Sequence, residues 1–182
     1  VQTLATFPDA PEVEEDADTF AANAVKKAVE IAAWLKDQAL GQARPDLVLA
    51  DDSGLTVNAL GGEPGVRSAR YAGSEGNAPD NANNAKLLRE MEGIPDELRG
   101  AQFQCVLALI ALDQTAEAVT FDGICRGTIA RAQTGKGGFG YDPLFIPEGH
   151  TQSFAKLGAV MKNGISHRAR ALTKLAEHIK QG

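Results

Sequence analysis

Two adjacent carboxylates are the residues best placed for chemistry in this sequence. Asp51 and Asp52 directly follow the apolar run 47–50 and precede Ser53 and Gly54. The run predicts a strand buried on both faces, and open α/β sheets bind ligands beyond the carboxyl ends of their strands. We therefore expect the acids at a strand end, within a site. Asp, Ser and Gly in succession are also turn residues, so this segment alone leaves a turn equally open.

A glycine-rich segment at 135–143 is the second candidate, and it carries two aromatic side chains, Phe139 and Tyr141. Glycine removes the side chains that would block a close approach of the backbone. The rings could stack on a planar ligand while Asp142 accepts hydrogen bonds from its edge, a geometry used for unpaired bases. Packing of both rings in the core is the alternative interpretation.

Three basic side chains, Lys162, His167 and Arg168, form the third candidate, at the start of an amphipathic helix predicted over 161–182. Cations at a helix N-terminus oppose the helix dipole, so propensity alone does not favour this placement. Such conflicts with local preference occur at functional sites. Solvated surface charge is the alternative.

Several elements must position these groups. Thr19 or Asp18 is predicted to cap a helix that ends before Gly41. One face of this helix is apolar: Phe20, Ala24, Ala28, Ile31 and Leu35. A second helix is predicted over 80–92, with Leu87, Leu88 and Met91 inward.

A β-hairpin is predicted downstream, with strands over 103–112 and 118–131 and a turn over 113–117. A central turn sets Cys105 roughly opposite Cys125. Two cysteines without a framework pattern fit a reducing cytoplasm, so we expect a buried, reduced pair.

Length and composition limit the possible functions. The 182 residues fit one domain, 1–182, and 43% hydrophobic with 23% charged residues is ordinary for a soluble protein. No apolar run is long enough to span a bilayer, which argues against a membrane role. A net charge of −6 argues against nonspecific nucleic-acid binding but permits a local basic pocket for a phosphate ligand. The predicted location is the cytoplasm.

Taken together, the motifs resemble those of the inosine/xanthosine triphosphate pyrophosphatase family over essentially the whole chain. They occur in one order: Thr19-Phe20, Asn23-Ala24 and Lys27-Ala28, then ADDSGL at 50–55, GGEPGVRSARYAG at 61–73, GGFGYDPLF at 137–145 and KNGISHRARAL at 162–172. The resemblance implies an elongated, two-lobed α/β fold. A long central mixed sheet flanked by helices would hold a nucleotide cleft between the lobes, usually in a homodimer.

The resemblance also implies roles for individual residues. Asp52 would bind Mg²⁺ and accept a proton from the attacking water, with Asp51 beside it as a second acid and Glu15 as a further carboxylate near the metal. Ser53 would contact the nucleotide. The remaining substrate-binding residues would be Phe139, Gly140, Tyr141, Asp142, Lys162, His167 and Arg168.

The implied reaction cleaves ITP, dITP or XTP between the α and β phosphates, releasing pyrophosphate and cleansing the nucleotide pool. Mg²⁺ would polarise the phosphoryl oxygens and lower the pKa of a bound water. Hypoxanthine and xanthine carry a carbonyl at C6, so a cationic donor such as Arg168 or His167 favours them over adenine. Guanine shares that carbonyl, and its rejection must depend on the C2 side.

One departure from the family pattern supports other hypotheses. The family opens with a strand and a Thr/Ser-x-Asn-x-x-Lys phosphate loop, which nothing before Phe7 matches. We therefore expect a domain that is N-terminally incomplete relative to the family, either because this sequence omits the segment or because the homologue has lost it. A catalytically weak or silent nucleotide-binding homologue is the first alternative. A pyrophosphatase acting on a modified pyrimidine nucleotide is the second.

Overall fold

A four-stranded sheet forms the centre of the computed structural model, which describes residues 1–38, 45–73, 76–112 and 117–181. The strands are β1 (Leu47–Val57), β2 (Gly100–Ala111), β3 (Val119–Ile129) and β4 (Phe145–Pro147), in that spatial order. All three pairings are antiparallel in the described residues, where a mixed sheet was expected.

Helices cover both faces of the sheet. They are α1 (Phe20–Asp37), α2 (Asp80–Glu90), α3 (Phe154–Ile165) and α4 (His167–Gln181). Helix α1 packs on β1 and β2 from one side, and α4 packs on β2 and β3 from the other. The predicted α/β class is confirmed. None of the described helices is long and apolar enough to cross a membrane.

Helix α1 follows its sequence pattern closely. The Thr19 hydroxyl caps it by accepting a hydrogen bond from the Ala22 N–H at 3.1 Å. The predicted apolar face is buried against Val48, Val106 and Ala108. Gly41 lies outside the described residues. Helix α2 likewise buries Leu87, as predicted.

Two of the hydrophobic clusters lie at opposite ends of the long strands. The first contains the α1 face and the early part of β1. The second contains Leu55 and Val57 from the late part of β1, together with Phe103, Phe145 and Phe154. The middle of β1 lies between these clusters, so polar side chains there are placed between two packed regions of the molecule.

The predicted position of the two acids is wrong in one respect. Strand β1 does not end at residue 50, because its pairing with β2 continues to Val57 opposite Ala101. Asp51 and Asp52 therefore lie in mid-strand. The run before them is not buried on both faces either, since Leu47 and Leu49 are almost half exposed.

The predicted hairpin is formed by β2 and β3, with a register that differs from the central-turn estimate. Cys105 lies opposite Gly123, and Cys125 lies opposite Phe103. Both cysteines are buried and free, as expected for a reduced pair. Residues 113–116 of the predicted turn lie outside the described residues.

The single C-terminal helix predicted over 161–182 is instead two helices, α3 and α4. Ser166 separates them with an extended backbone (φ −67°, ψ 162°). Its hydroxyl accepts a hydrogen bond from the Ala169 N–H at 3.2 Å, which caps α4. Lys162 consequently lies in the last turn of α3, whereas His167 and Arg168 begin α4.

Candidate active site

Strand alternation sends the two adjacent acids to opposite faces of the sheet, because successive side chains of a strand point in opposite directions. Asp52 contacts Lys27 of α1, and Asp51 contacts Arg168 of α4. The candidate site therefore has two halves separated by β1.

On the α1 face, one lysine joins two carboxylates. The Lys27 ammonium donates to Glu15 Oε1 at 2.7 Å and to Asp52 Oδ1 at 3.1 Å. Arg70 adds a second cation: its Nη2 donates to the Glu15 carbonyl oxygen at 2.7 Å, and its Nη1 lies 3.7 Å from Glu15 Oε2. Two acids and two bases thus form one network, although Glu15 is 37 residues from Asp52 in the sequence.

Burial and charge set the ionisation of this network. Burial raises the pKa of Asp52, the Glu15 charge adds to the rise, and Lys27 opposes it. Burial would lower the pKa of Lys27, but its hydrogen bond to Glu15 and the Asp52 charge outweigh burial and raise it. Asp52 Oδ2 is buried and has no hydrogen-bond partner. A buried carboxylate oxygen without a partner is costly unless a ligand satisfies it.

The donor set fits a hard divalent cation of the Mg²⁺ type. Mg²⁺ is bound through one or two carboxylates while waters and substrate phosphates complete its octahedron. Glu15 and Asp52 supply two carboxylates, and the unpartnered Oδ2 is available. In the part of the chain that the structure describes, no three His, Cys, Asp or Glu side chains form a metal-holding cluster. Asp51, predicted with these two acids, lies on the other face.

On the α4 face, Asp51 is fully engaged by neighbouring donors. Arg168 donates from Nε to Oδ2 at 2.7 Å and from Nη2 to Oδ1 at 3.2 Å. The Ser53 hydroxyl donates to Oδ1 at 2.6 Å, and the Cys105 thiol lies 3.5 Å from Oδ2. Burial would raise the pKa of Asp51, but the hydrogen bonds from Arg168 and Ser53 outweigh it and lower the pKa.

The glycine-aromatic loop adds a buried acid to this half of the site. Asp142 is fully buried, and its Oδ2 accepts from Lys162 Nζ at 2.5 Å and from the Phe139 N–H at 3.0 Å. Its Oδ1 has no partner. The Lys162 ammonium also lies 3.9 Å from the centre of the Phe139 ring, a cation–π contact. A Cβ on Gly138 would lie 2.1 Å from Asp142 Oδ2, which explains the glycine there.

The two aromatic side chains of the loop have different environments. Phe139 is 59% exposed, so its ring is free to stack on a ligand. Tyr141 is buried, and its hydroxyl donates to the Ser68 carbonyl oxygen at 2.9 Å. The Gly140 N–H donates to Asp80 Oδ2 at 2.6 Å, which ties the loop to α2. Tyr141 packs in the core, as the alternative interpretation held, while Phe139 does not.

His167 is a neutral ring rather than the cationic donor that was expected. It is 4% exposed and stacks on Phe103, with ring centres 4.8 Å apart. Burial, together with the neighbouring charges of Arg168 and Lys162, lowers its pKa from the ordinary value of 6.5 to about 3. Its Nδ1 is buried without a partner. Arg168 is therefore the cation of this pair.

A cavity of about 180 Å³ connects these groups on the α4 face. A neighbouring cavity of about 300 Å³ shares part of its lining, including Phe139, Lys162, His167 and Arg168. The smaller cavity is also lined by Ser53, Gly140, Tyr141 and Asp142. The smaller cavity is thus bordered by the exposed ring of Phe139, by the stacked rings of Phe103 and His167, and by several polar side chains. This lining suits a flat heterocycle with hydrogen-bonding edges.

The structure thus brings the predicted residues together in two groups. Ser53, the loop residues 139–142, Lys162, His167 and Arg168 border one cavity, while Glu15 and Asp52 meet on the other face of β1. Sequence reasoning gave no role to Lys27 or Arg70. A signal was present for Lys27, because it lies three to four residues from the buried Asn23 and Ala24 on the inward stripe of α1, where a charge is unexpected.

Comparisons with known proteins agree with this geometry. A family model described as the Ham1 family matches residues 1–178. The dITP/XTP pyrophosphatase of Shouchella clausii is 48% identical over 180 residues, which cover 99% of this chain and 84% of the relative. The dITP/XTP pyrophosphatase of Geobacillus kaustophilus is 52% identical over 177 residues, which cover 97% of this chain and 80% of the relative.

Solved structures give the same result. The Ham1 protein of Staphylococcus aureus superposes with a TM-score of 0.84 at 38% identity, covering 98% of this chain and 84% of that one. A HAM1 protein of Coxiella burnetii superposes with a TM-score of 0.81 at 40% identity, covering 95% of this chain and 82% of that one. The match in sequence and in structure extends over almost all of the chain, and we conclude that it belongs to the Ham1 family.

Proposed function

We propose that this protein hydrolyses non-standard purine nucleoside triphosphates, ITP, dITP and XTP, to the monophosphate and pyrophosphate. One observation carries the proposal: a carboxylate and cation network and a cavity suited to a flat ring lie on the two faces of the same short segment of β1. A nucleotide offers the matching pair of features, a charged phosphate chain and a planar base. The relatives named dITP/XTP pyrophosphatases support the same reaction.

The phosphate half of the proposal uses the α1 face. Glu15 and Asp52 would hold Mg²⁺, which polarises phosphoryl oxygens and acidifies a bound water. Asp52, whose Oδ2 has no hydrogen-bond partner, would bind the cation and would also accept the proton of the attacking water. Lys27 and Arg70 balance the negative charge that several phosphate oxygens bring to this face.

The base half uses the α4 face. Arg168 donates to the C6 carbonyl that hypoxanthine and xanthine share. Adenine has an amino group at C6, which is itself a donor and cannot accept a hydrogen bond from Arg168. Asp142 offers a single free oxygen, Oδ1, because Lys162 and the Phe139 N–H occupy Oδ2. One free acceptor suits the single N1–H of hypoxanthine. Guanine presents its N1–H and 2-amino group side by side, which would leave one donor unpaired.

The products of ITP hydrolysis test the proposal directly. We expect purified protein with Mg²⁺ to release IMP and pyrophosphate from ITP, resolved by ion-exchange chromatography, and to turn over GTP at least about tenfold more slowly. The panel includes dITP, XTP and modified pyrimidine triphosphates. Orthophosphate as the first product, or equal rates on ITP and GTP, would overturn it.

A silent nucleotide-binding homologue is not favoured, because the acids, the cations and the cavity are all present in the described residues. Mg²⁺ as the cofactor, a homodimer and a cytoplasmic location are further parts of the proposal. The carboxylate ligands support the first, the family resemblance the second, and two buried free thiols the third. Metal replacement, sedimentation at several concentrations and cell fractionation test these three parts.

A further inference from the structure

We infer that Asp51 is a positioning residue for Arg168: it holds the guanidinium in one orientation, so that the remaining N–H groups face the base cavity. This inference rests on the proposed function, because it takes the cavity on the α4 face as the base site. It also assigns Asp51 to base recognition and removes it from the metal site, so the two adjacent acids act on different parts of one substrate.

The contact between the two side chains is a fork. Two donors on one edge of the Arg168 guanidinium, Nε and Nη2, meet the two oxygens of the Asp51 carboxylate at 2.7 and 3.2 Å. Paired contacts of this kind fix the plane of the guanidinium as well as its position. A guanidinium has five N–H donors, so Nη1 and one hydrogen of Nη2 stay available.

Asp51 is itself held rigidly. It lies in the middle of β1, paired with Leu107 of β2. The Ser53 hydroxyl fixes Oδ1 at 2.6 Å, and the Cys105 thiol lies 3.5 Å from Oδ2. A carboxylate with each oxygen engaged by two neighbours has little freedom to rotate. Because two hydrogen bonds join it to Arg168, the fixed orientation of this carboxylate also fixes the orientation of the guanidinium.

The cavity lining separates the positioning role from direct contact. Arg168 lines both cavities on this face, and its side chain is 40% exposed. Ser53 and Arg168 belong to the described residues that line these cavities, whereas Asp51 does not line either of them. Asp51 therefore reaches a bound base only through its neighbours. A free Arg168 side chain would sample several rotamers in this opening, and binding would have to pay the entropy of ordering it.

A second ion pair between the sheet and α4 provides a matched control. Asp122 of β3 accepts from Lys174 of α4 at 2.7 Å, but both side chains are half exposed or more and lie outside the two cavities. Loss of this pair removes a similar link between sheet and helix without touching the candidate site. Asp122→Asn thus separates a general effect on helix docking from a specific effect on Arg168.

The test measures ligand binding by calorimetry, so it does not depend on turnover. IMP probes the base half, and Mg²⁺ with inorganic tripolyphosphate probes the phosphate half. We expect Asp51→Asn to weaken IMP at least about tenfold and to leave tripolyphosphate within about twofold, while Asp122→Asn changes neither. Asp51→Glu, which keeps the carboxylate, should recover part of the IMP affinity.

A double-mutant cycle with Arg168→Lys isolates the contact. Lysine keeps the charge but cannot form the fork, so the double variant should bind IMP no more weakly than the weaker single variant. Additive losses, an unchanged IMP affinity in Asp51→Asn, or equal weakening of tripolyphosphate would each overturn the inference. Failure of wild-type protein to bind IMP would overturn it too. Binding of IMP without hydrolysis of ITP would instead overturn only the proposed function.

The folding of each variant is checked by its thermal unfolding midpoint. Asp51→Asn keeps the size and one oxygen of the side chain, so β1 packing is preserved. If that variant unfolds, Asp51→Glu takes its place, because it keeps the carboxylate but shifts it by one methylene relative to Arg168. The inference then requires a weaker IMP affinity in Asp51→Glu with tripolyphosphate unchanged, and an unaltered IMP affinity contradicts it.

Discussion

The two faces of β1 each carry an aspartate, and the pKa values of these two aspartates are shifted in opposite directions. On the α1 face, Asp52 is almost fully buried, keeps one oxygen without a partner and has a raised pKa. On the α4 face, Asp51 has both oxygens engaged and a lowered pKa. The first arrangement suits a group that takes up a cation or a proton, and the second suits a group that holds a neighbour in place. Neighbours in sequence thus acquire different tasks from strand alternation alone.

The largest expected effect comes from Asp52→Asn. The amide retains the shape of the side chain but neither accepts a proton nor binds Mg²⁺ as strongly, so kcat on ITP should fall by about 10³. Steady-state pyrophosphate release measures the loss. Asp122→Asn is the control and should keep wild-type activity. A fall of less than tenfold in Asp52→Asn would place the proton acceptor elsewhere.

Removal of the bridging lysine should have the next largest effect. Lys27→Met leaves the buried Asp52 without its counter-charge and close to Glu15, and we expect metal-free protein to lose about 2 kcal/mol of unfolding free energy at pH 7. Denaturant unfolding measures it, and added Mg²⁺ should recover part of the loss.

The neighbouring Lys26→Met is the matched control for this effect. Lys26 donates to Asp16 at 2.6 Å on the exposed side of the same helix. Its replacement should cost less than about 1 kcal/mol, because exposed ion pairs contribute little. Equal losses in the two variants would contradict a special role for the buried network.

A change confined to the α4 face should separate the halves further. A Cβ added by Gly138→Ala would overlap Asp142 Oδ2, so IMP binding should weaken about tenfold while tripolyphosphate binding is unchanged. Gly149→Ala is the control, because Gly149 shares a positive φ of 80° but has no neighbour within 4 Å of an added Cβ. Similar IMP affinities in the two variants would contradict a specific effect of the contact between residue 138 and Asp142 on the base cavity.

The smallest expected effect is a dependence of stability on pH. In the unfolded chain, His167 takes up a proton near pH 6.5, whereas burial keeps it neutral in the folded protein down to about pH 3. The unfolded state binds more protons between these values, so stability is retained above pH 6.5 and declines as the pH falls. The slope is at most about 1.4 kcal/mol per pH unit. His167→Gln should flatten the dependence of the unfolding free energy on pH between pH 6.5 and 5, and an unchanged dependence would contradict this account of His167.

Periodicity and capping predicted the helices α1 and α2 and the β2–β3 hairpin, because local patterns dominate there. The break at Ser166 was missed, since the apolar stripe continues across it and only the capping hydroxyl marks the boundary. The strand-end position of the acids was wrong because antiparallel pairing with β2 extends β1, a long-range effect that no local pattern contains. The division of Asp51 from Asp52 follows once β1 is known to continue through both residues.

The sequence predicted which residues belong to the site better than it predicted their contacts and charge states. The motifs identified the residues of the base cavity, but the charge state of His167 depends on burial against Phe103, which lies 64 positions away. The link from Lys27 to Glu15 and Asp52 similarly requires three separate segments to meet. Residue types indicate which chemistry is available, whereas burial and partners decide what each group does.

The central claim is that Asp52 binds the metal ion and that its neighbour Asp51 does not. Titration of Mn²⁺, as a paramagnetic substitute for Mg²⁺, in the presence of tripolyphosphate and followed by electron paramagnetic resonance, tests it most directly. The account predicts that Asp52→Asn binds Mn²⁺ at least about tenfold more weakly than wild type, while Asp51→Asn binds it within about twofold of wild type. Equal loss of Mn²⁺ affinity in both variants would contradict the account.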